Sequence, residues 1–265
     1  MAIRKLPDRL YCFALILGTK FRPNYPKVLA IHFEKDVWEI LLKNEKGENE
    51  KVFFQSLKRA DRFISGRRKS FGNQLSKYGL MPEIIKYPAA VIDVGANIGE
   101  FLLNFESLSD LHLIGFEPDD SAMRCLERND VFSRITKYPL VASNSNGFID
   151  FYLSTKDADS STFEPEVWTS KVRRDRIRLD DWILKNLSSE CNLYLKIDAE
   201  GGEPEVLDGL MRIDRKLLRF ISIDVGPERN GMRTEELCRE LLLELGFNEV
   251  SLVSENILVA AKFED

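Results

Sequence analysis

The strongest constraint on the fold lies beyond residue 88, where short apolar runs alternate with amphipathic stretches. The runs at 90–94, 111–116, 135–140, 193–197, 220–225, 250–254 and 257–261 are five or six residues long and apolar mostly at consecutive rather than alternate positions. Such runs suit strands covered on both faces, the condition of parallel sheets whose crossovers are helices. Helical patterns fit between them at 100–108, 121–129, 179–187, 203–211 and 234–245. Only Glu255 and Asn256 separate the last two strands, too little for a crossover, so these two form an antiparallel hairpin. The expected class is α/β, a doubly wound, seven-stranded, mostly parallel sheet closed by that hairpin.

The first 88 residues read differently. Pro82 and Pro88 bracket a boundary that divides a small α+β appendage (1–88) from the main domain (89–265). Segments 37–43 and 51–54 flank the turn NEKGEN and pair as a hairpin, and 58–64 and 72–80 suit short helices, together a lid or substrate-side module. Residues 1–88 carry 18 Lys and Arg against 9 Asp and Glu, while the remainder carries 20 against 34. The densest cationic run, Lys58, Arg59, Arg62, Arg67, Arg68 and Lys69, is either a contact for an anionic surface or a solvated helix face. A net charge of −5 argues against a dedicated nucleic-acid binder. The apolar stretch 10–18 is about half the length that spans a bilayer, and no small-residue cleavage site follows it, so a core or docking helix is expected. Cys12, Cys125, Cys191 and Cys238 are scattered without metal-ligand or disulfide spacing, which points to a reducing cytoplasm.

Chemistry-bearing residues gather at strand ends. The first strand of the sheet runs into Asp93-Val-Gly95-Ala96-Asn97-Ile-Gly99, a turn whose glycines admit a ligand close to the backbone. Asn97 stands where a dinucleotide fingerprint has its second glycine, which favours a different nucleoside ligand, and Asp93 suits a cationic amino group. The second strand ends in Gly115-Phe-Glu117-Pro118-Asp119, where Glu117 can accept from both ribose hydroxyls or cap the next helix, with Asp119 the better cap. Ser143 or Asn144 could bond an adenine edge or serve a polar turn. In the segment 193–205, Lys196 and Asp198 share one strand face, so a buried charge pair is expected. Asp198 then falls at the strand's carboxyl end, with Glu200 beyond it in a glycine loop, while Glu203 and Glu205 suit the favourable first turn of a helix.

The motifs VIDVGANIGEF (91–101), GFEPD (115–119), RLDDWI (178–183) and KIDAEGGEPEVLDG (196–209) resemble those of the FkbM family of methyltransferases, over about residues 89–225. The resemblance implies the Rossmann-like class I methyltransferase fold, S-adenosyl-L-methionine as methyl donor, and O-methylation of a hydroxyl on a sugar, glycan or secondary metabolite. It implies cofactor binding by Asp93, Gly95, Asn97, Gly99 and Glu117, with Asp198 and Glu200 flanking the transfer site; Ala96, Pro118 and Ser143, beside these residues or at the third strand's end, are further candidates for the cofactor side. The stretch from Asp224 to Gly231 departs from the family pattern, and residues 1–88 carry no motif of it.

With only His32 and His112 in the chain, a carboxylate is the expected base: Asp198 or Glu200, with Asp224 third. No metal is expected, although three carboxylates on one rim would suit a hard cation. Two rivals share these features. A nicotinamide-dependent dehydrogenase uses the same glycine turn and ribose acid, and a non-catalytic module could use the fold to bind an anionic surface.

Overall fold

The computed structural model describes residues 7–22, 25–154 and 160–262. Its central sheet contains β4 (Ala89–Val94), β5 (Leu111–Phe116), β6 (Ile135–Tyr138), β10 (Asn192–Ile197), β11 (Leu218–Asp224), β12 (Val250–Leu252) and β13 (Ile257–Ala261). The strand order is β12-β13-β11-β10-β4-β5-β6, parallel except at β13, which runs antiparallel to both neighbours. The consecutive apolar runs have the expected cause. Every residue of β4 and of β10 is buried, with Ala89, Val91 and Tyr194 in one core and Ala90, Ile92, Val94, Leu193, Leu195 and Ile197 in the other. The second core is closed by α5 (Leu179–Asn186), α6 (Glu203–Asp208) and α7 (Glu235–Glu244).

The first core is shared with the N-terminal residues. There α1 (Asp8–Lys20) packs on a meander of β1 (Lys27–Glu34), β2 (Val37–Lys43) and β3 (Asn49–Phe54), followed by α2 (Ala60–Phe63) and α3 (Arg67–Tyr78). Phe54, Phe63, Phe71 and Tyr78 join Val91, Ile98, Phe101 and Phe105 in that core. The hairpin expected at 37–54 is β2 and β3, and β1 was not legible in the sequence. Among the side chains that couple the two parts is Asn129, at the end of α4 (Asp120–Asn129), which accepts from Phe53 N at 2.9 Å and donates to Phe53 O and Ile98 O at 2.9 and 3.0 Å. Its amide thereby serves an edge strand as a further strand would.

One expectation needs correction, and one element was not expected. No α-helix fills 100–108, where only a 3-10 turn forms at Leu102–Phe105. There the Asn104 side-chain amide donates to Glu100 O, Phe101 O and Phe71 O at 2.7, 3.1 and 3.1 Å, local bonds that compete with a regular helical ladder. Between β6 and α5 lies an unforeseen second sheet, in which β9 (Ser170–Arg178) is flanked by β7 (Val141–Ser143) and β8 (Gly147–Leu153).

Candidate active site

The carboxyl ends of β4, β5, β10 and β11 converge on one cavity of about 450 Å³. Asp93, Gly95, Ala96, Asn97, Glu117, Pro118, Ser143, Asp198, Glu200 and Asp224 all line it, while Gly99 lies one turn behind the wall, its position crowded by Leu126 and Leu103. The bend after β4 is built for close approach. Gly95 has φ +76°, and a Cβ there would stand 1.9 Å from the Asp198 carbonyl oxygen. The Gly95 and Ala96 amides donate to Phe116 O, both at 3.0 Å, which ties the bend to the end of β5.

Glu117 holds the next step of the wall. One carboxylate oxygen accepts from Asn97 N at 2.7 Å and the other from Asp119 N at 2.8 Å. Burial pushes the Glu117 carboxyl up to about 7, against the opposing pull of those two amides. Capping of α4 falls to Asp119, whose Oδ1 accepts from Ser121 N and Ala122 N at 2.8 and 3.3 Å.

Asp93 is fully buried, and burial raises its carboxyl to about 6 against the pull of Lys196. The two face each other across parallel strands in register, with Lys196 Nζ 2.9 Å from Asp93 Oδ1, yet neither Asp93 oxygen has a well-aligned hydrogen-bond donor. Lys196 also donates to Gly95 O at 2.7 Å and lies 3.8 Å from Asp198 Oδ2. The charge pair expected along β10 is thus the looser of two, because same-strand neighbours on one face stand farther apart than partners in adjacent strands.

Residues from the N-terminal segment complete the site, and no motif in the sequence pointed to them. The last two residues of α3 reach the rim: Tyr78 donates to Asp198 Oδ2 at 2.6 Å, and Lys77 Nζ donates to Tyr78 Oη at 3.0 Å and to Asp224 Oδ2 at 2.8 Å. A continuous chain of polar contacts therefore links the tips of β10 and β11. Burial works to raise the Asp198 carboxyl, but Lys196, Lys77 and the Tyr78 hydroxyl outweigh it and hold the group below the usual range. Burial, then the Asp198 charge, push the Tyr78 hydroxyl well above its ordinary value, so it remains a donor. Asp224 is engaged by Lys77 and also accepts from Gly226 N at 3.2 Å, which leaves it the less available of the two aspartates.

Glu200 sits in the loop after β10 at φ +49°, and its carbonyl accepts from Ser161 Oγ at 2.6 Å. Glu203 is more than a helix-start residue, because its buried Oε1 accepts from Ala199 N and Gly201 N at 2.9 and 3.0 Å and fixes that loop from behind. The second sheet covers the opposite wall with Ile149, Phe151 and Arg176, and is fastened by Arg174, which donates to Pro118 O and Asp120 Oδ2, both at 2.7 Å. The cationic run at 58–69 is split: Arg59 is buried against Glu100 at 3.4 Å and Arg67 pairs with Glu106 at 3.2 Å, while Lys58, Arg62, Arg68 and Lys69 remain exposed. Among the described residues, no group of three or more His, Cys, Asp or Glu is placed to hold a metal ion.

Residues 93–249, more than half of the chain, match the Methyltransferase FkbM domain. The chain belongs to the FkbM methyltransferase family. A curated relative, the 2-O-methyltransferase NoeI of Sinorhizobium fredii, is 27% identical over 165 residues, which cover 56% of this chain and 68% of that protein. Among solved structures, a methyltransferase FkbM from Methylobacillus flagellatus aligns at 16% identity and a TM-score of 0.48, covering 78% of this chain but only 54% of that one. A precorrin-6y C5,15-methyltransferase from Geobacter metallireducens aligns at 16% identity and 0.42, covering 74% and 88%. Membership of the FkbM family makes the chain a methyltransferase and displaces the dehydrogenase reading.

Proposed function

We propose that this FkbM protein transfers the methyl group of S-adenosyl-L-methionine to a hydroxyl of a sugar, glycan or secondary metabolite. The observation that carries the cofactor is Asp93, a fully buried carboxylate on the pocket wall that faces the Lys196 ammonium at 2.9 Å. Lys196 divides its ammonium among Asp93, Gly95 O and Asp198, so the Asp93 carboxylate keeps lone pairs for a second cation such as the ligand's ammonium group. Glu117 fits the same ligand, since each of its oxygens spends one lone pair on an amide and keeps another for a ribose hydroxyl. Asp93, the Gly95–Asn97 bend, Gly99 behind it, Glu117, Pro118 and Ser143 form the cofactor side of the pocket.

The cofactor supplies a methyl group on a sulfonium that leaves as a neutral thioether. Alignment of the acceptor is therefore a large part of what the protein contributes. The Tyr78 and Lys196 contacts keep Asp198 ionised and oriented at the rim, where it accepts the acceptor's hydroxyl proton. A weak base suffices, because a hydroxyl oxygen that has begun to bond carbon becomes strongly acidic. Glu200, on the clamped loop, orients the acceptor from the other side. Hydroxyl chemistry is also what the NoeI relative is named for. A cytoplasmic setting accords with the four free cysteines.

Titration of the protein with S-adenosylmethionine by calorimetry tests the cofactor assignment. Binding is expected at pH 8 and is expected to weaken as pH falls through about 7 and about 6, where Glu117 and Asp93 take up protons. Both carboxylates must be ionised to hold the ligand, so the loss lies on the acid side. Asp93→Asn is expected to weaken binding and to flatten the lower part of this dependence; a pH-independent affinity equal to wild type would remove Asp93 from the cofactor site.

Tyr78 is a positioning residue, and its test is a pH profile. Tyr78→Phe removes a hydrogen bond to a charged group, worth about 1.5–3 kcal/mol. The acid limb of kcat/KM is accordingly expected to move up by about 1–2 pH units as Asp198 becomes easier to protonate. An unchanged limb with lower activity would reduce Tyr78 to packing.

A further inference from the structure

Helix α1 contributes no residue to the lining of the pocket. Helix α1 buries Tyr11, Leu15 and Thr19 against the protein, spaced four residues apart along one face. On the opposite side, at 100° per residue, lie Leu10, Phe13 and Leu17, continued by Phe21 at the helix end, and these are 53%, 59%, 37% and 79% exposed. A surface helix ordinarily places polar residues there. Arg9 and Lys20 lie along one flank of this stripe and both are exposed. Arg22 and Lys69 meet at its carboxyl end, where their cationic groups stand 5.6 and 5.7 Å from the centre of the Tyr25 ring. Arg68, next to Lys69 in the chain, is also exposed, and Asp8 is the one acidic residue of α1.

We propose that the outer face of α1 docks on an anionic phospholipid surface. Apolar side chains with a basic border form the pattern of a helix lying in the plane of a bilayer interface, with the stripe in the acyl boundary and the cations among phosphates. The charge of the border decides the occupant, because a second copy would present the same cations, whereas anionic headgroups complement them. No helix of the described residues is long and apolar enough to cross a membrane, so this contact is peripheral. Helix α3 joins the two functions: its first turn carries Lys69 at the border, and its last residue, Tyr78, reaches Asp198. Its 12 residues span about 18 Å. The docking face is thus a short distance from the acceptor side of the pocket, although the proposal stands whether or not the assigned acceptor class is right.

Flotation of the intact protein with vesicles of phosphatidylcholine, with and without phosphatidylglycerol, tests it. The protein is expected to float with the anionic vesicles and to be released as salt is raised. Phe13→Ser combined with Leu17→Ser is expected to lower vesicle binding at least about tenfold. Arg22→Glu with Lys69→Glu is expected to abolish the preference for phosphatidylglycerol. Phe13→Trp reads the contact without removing apolar area, and the emission of this variant is expected to shift to the blue on anionic vesicles and on no other addition. Wild type that ignores both vesicle types, a Phe13→Trp variant whose emission does not move, or serine variants that bind as wild type would each overturn the proposal. So would reversible self-association of the wild type that the serine variants abolish, since that assigns the face to a second copy.

Discussion

Gly95→Ala is expected to lose about 3–5 kcal/mol of stability, the left-handed penalty and an overpacking cost acting together, and to bind S-adenosylmethionine measurably more weakly. The position is doubly restricted. Its φ of +76° is costly for any residue with a Cβ, and that Cβ would stand 1.9 Å from the carbonyl oxygen of Asp198. The obstacle is backbone at the end of β10 rather than a side chain able to swing aside, so relief requires the tips of β4 and β10 to separate. Those tips carry Asp93, Lys196 and Asp198, and the pocket opens with them. A fall in Tm of about 6–20 °C is expected by thermal melting. Gly47→Ala provides the control, because φ is similarly positive at +83° but the nearest atom is the flexible end of Lys43 at 3.8 Å. It is expected to cost about 1–2 kcal/mol, the left-handed penalty alone. Equal losses at the two glycines would show that the close approach to Asp198 does not matter.

Asp198→Asn is expected to lower kcat by about 10²–10⁴-fold on a hydroxyl acceptor and to change cofactor affinity far less. The amide is nearly isosteric and keeps an oxygen to accept from Tyr78, but it cannot take a proton. Glu200→Gln is expected to raise KM more than it lowers kcat, as befits a residue that orients the acceptor. Single-turnover methyl transfer in preformed cofactor complexes separates the two effects. If Asp198→Asn retained full turnover while Glu200→Gln lost it, the proton acceptor would be Glu200 and the Tyr78 contact would be structural. Asp224→Asn is expected to have the smaller effect, because Lys77 already occupies that carboxylate at 2.8 Å.

The sequence determined the seven strands of the central sheet, their parallel run and the closing hairpin, because consecutive burial and connection length are local properties that a single segment displays. It also placed Asp93, the glycine bend, Glu117, Asp198 and Glu200 on one rim, since in an alternating β-α chain every strand ends on the same side of the sheet. The second sheet escaped notice because β9 reads Ser-Lys-Val-Arg-Arg-Asp-Arg-Ile-Arg, with charges on both faces. Such a strand looks like solvent-facing coil until Arg174 finds Pro118 O and Asp120. The pairing of Lys196 with Asp93 depends on register between strands far apart in the chain, and nothing local encodes register. Tyr78 and Lys77 are the extreme case: they end an ordinary polar helix, 120 and 147 residues before the aspartates they touch. Their role was decided only by tertiary packing, which buries Phe71 and Tyr78 in the core under the sheet and so carries the end of α3 to the rim.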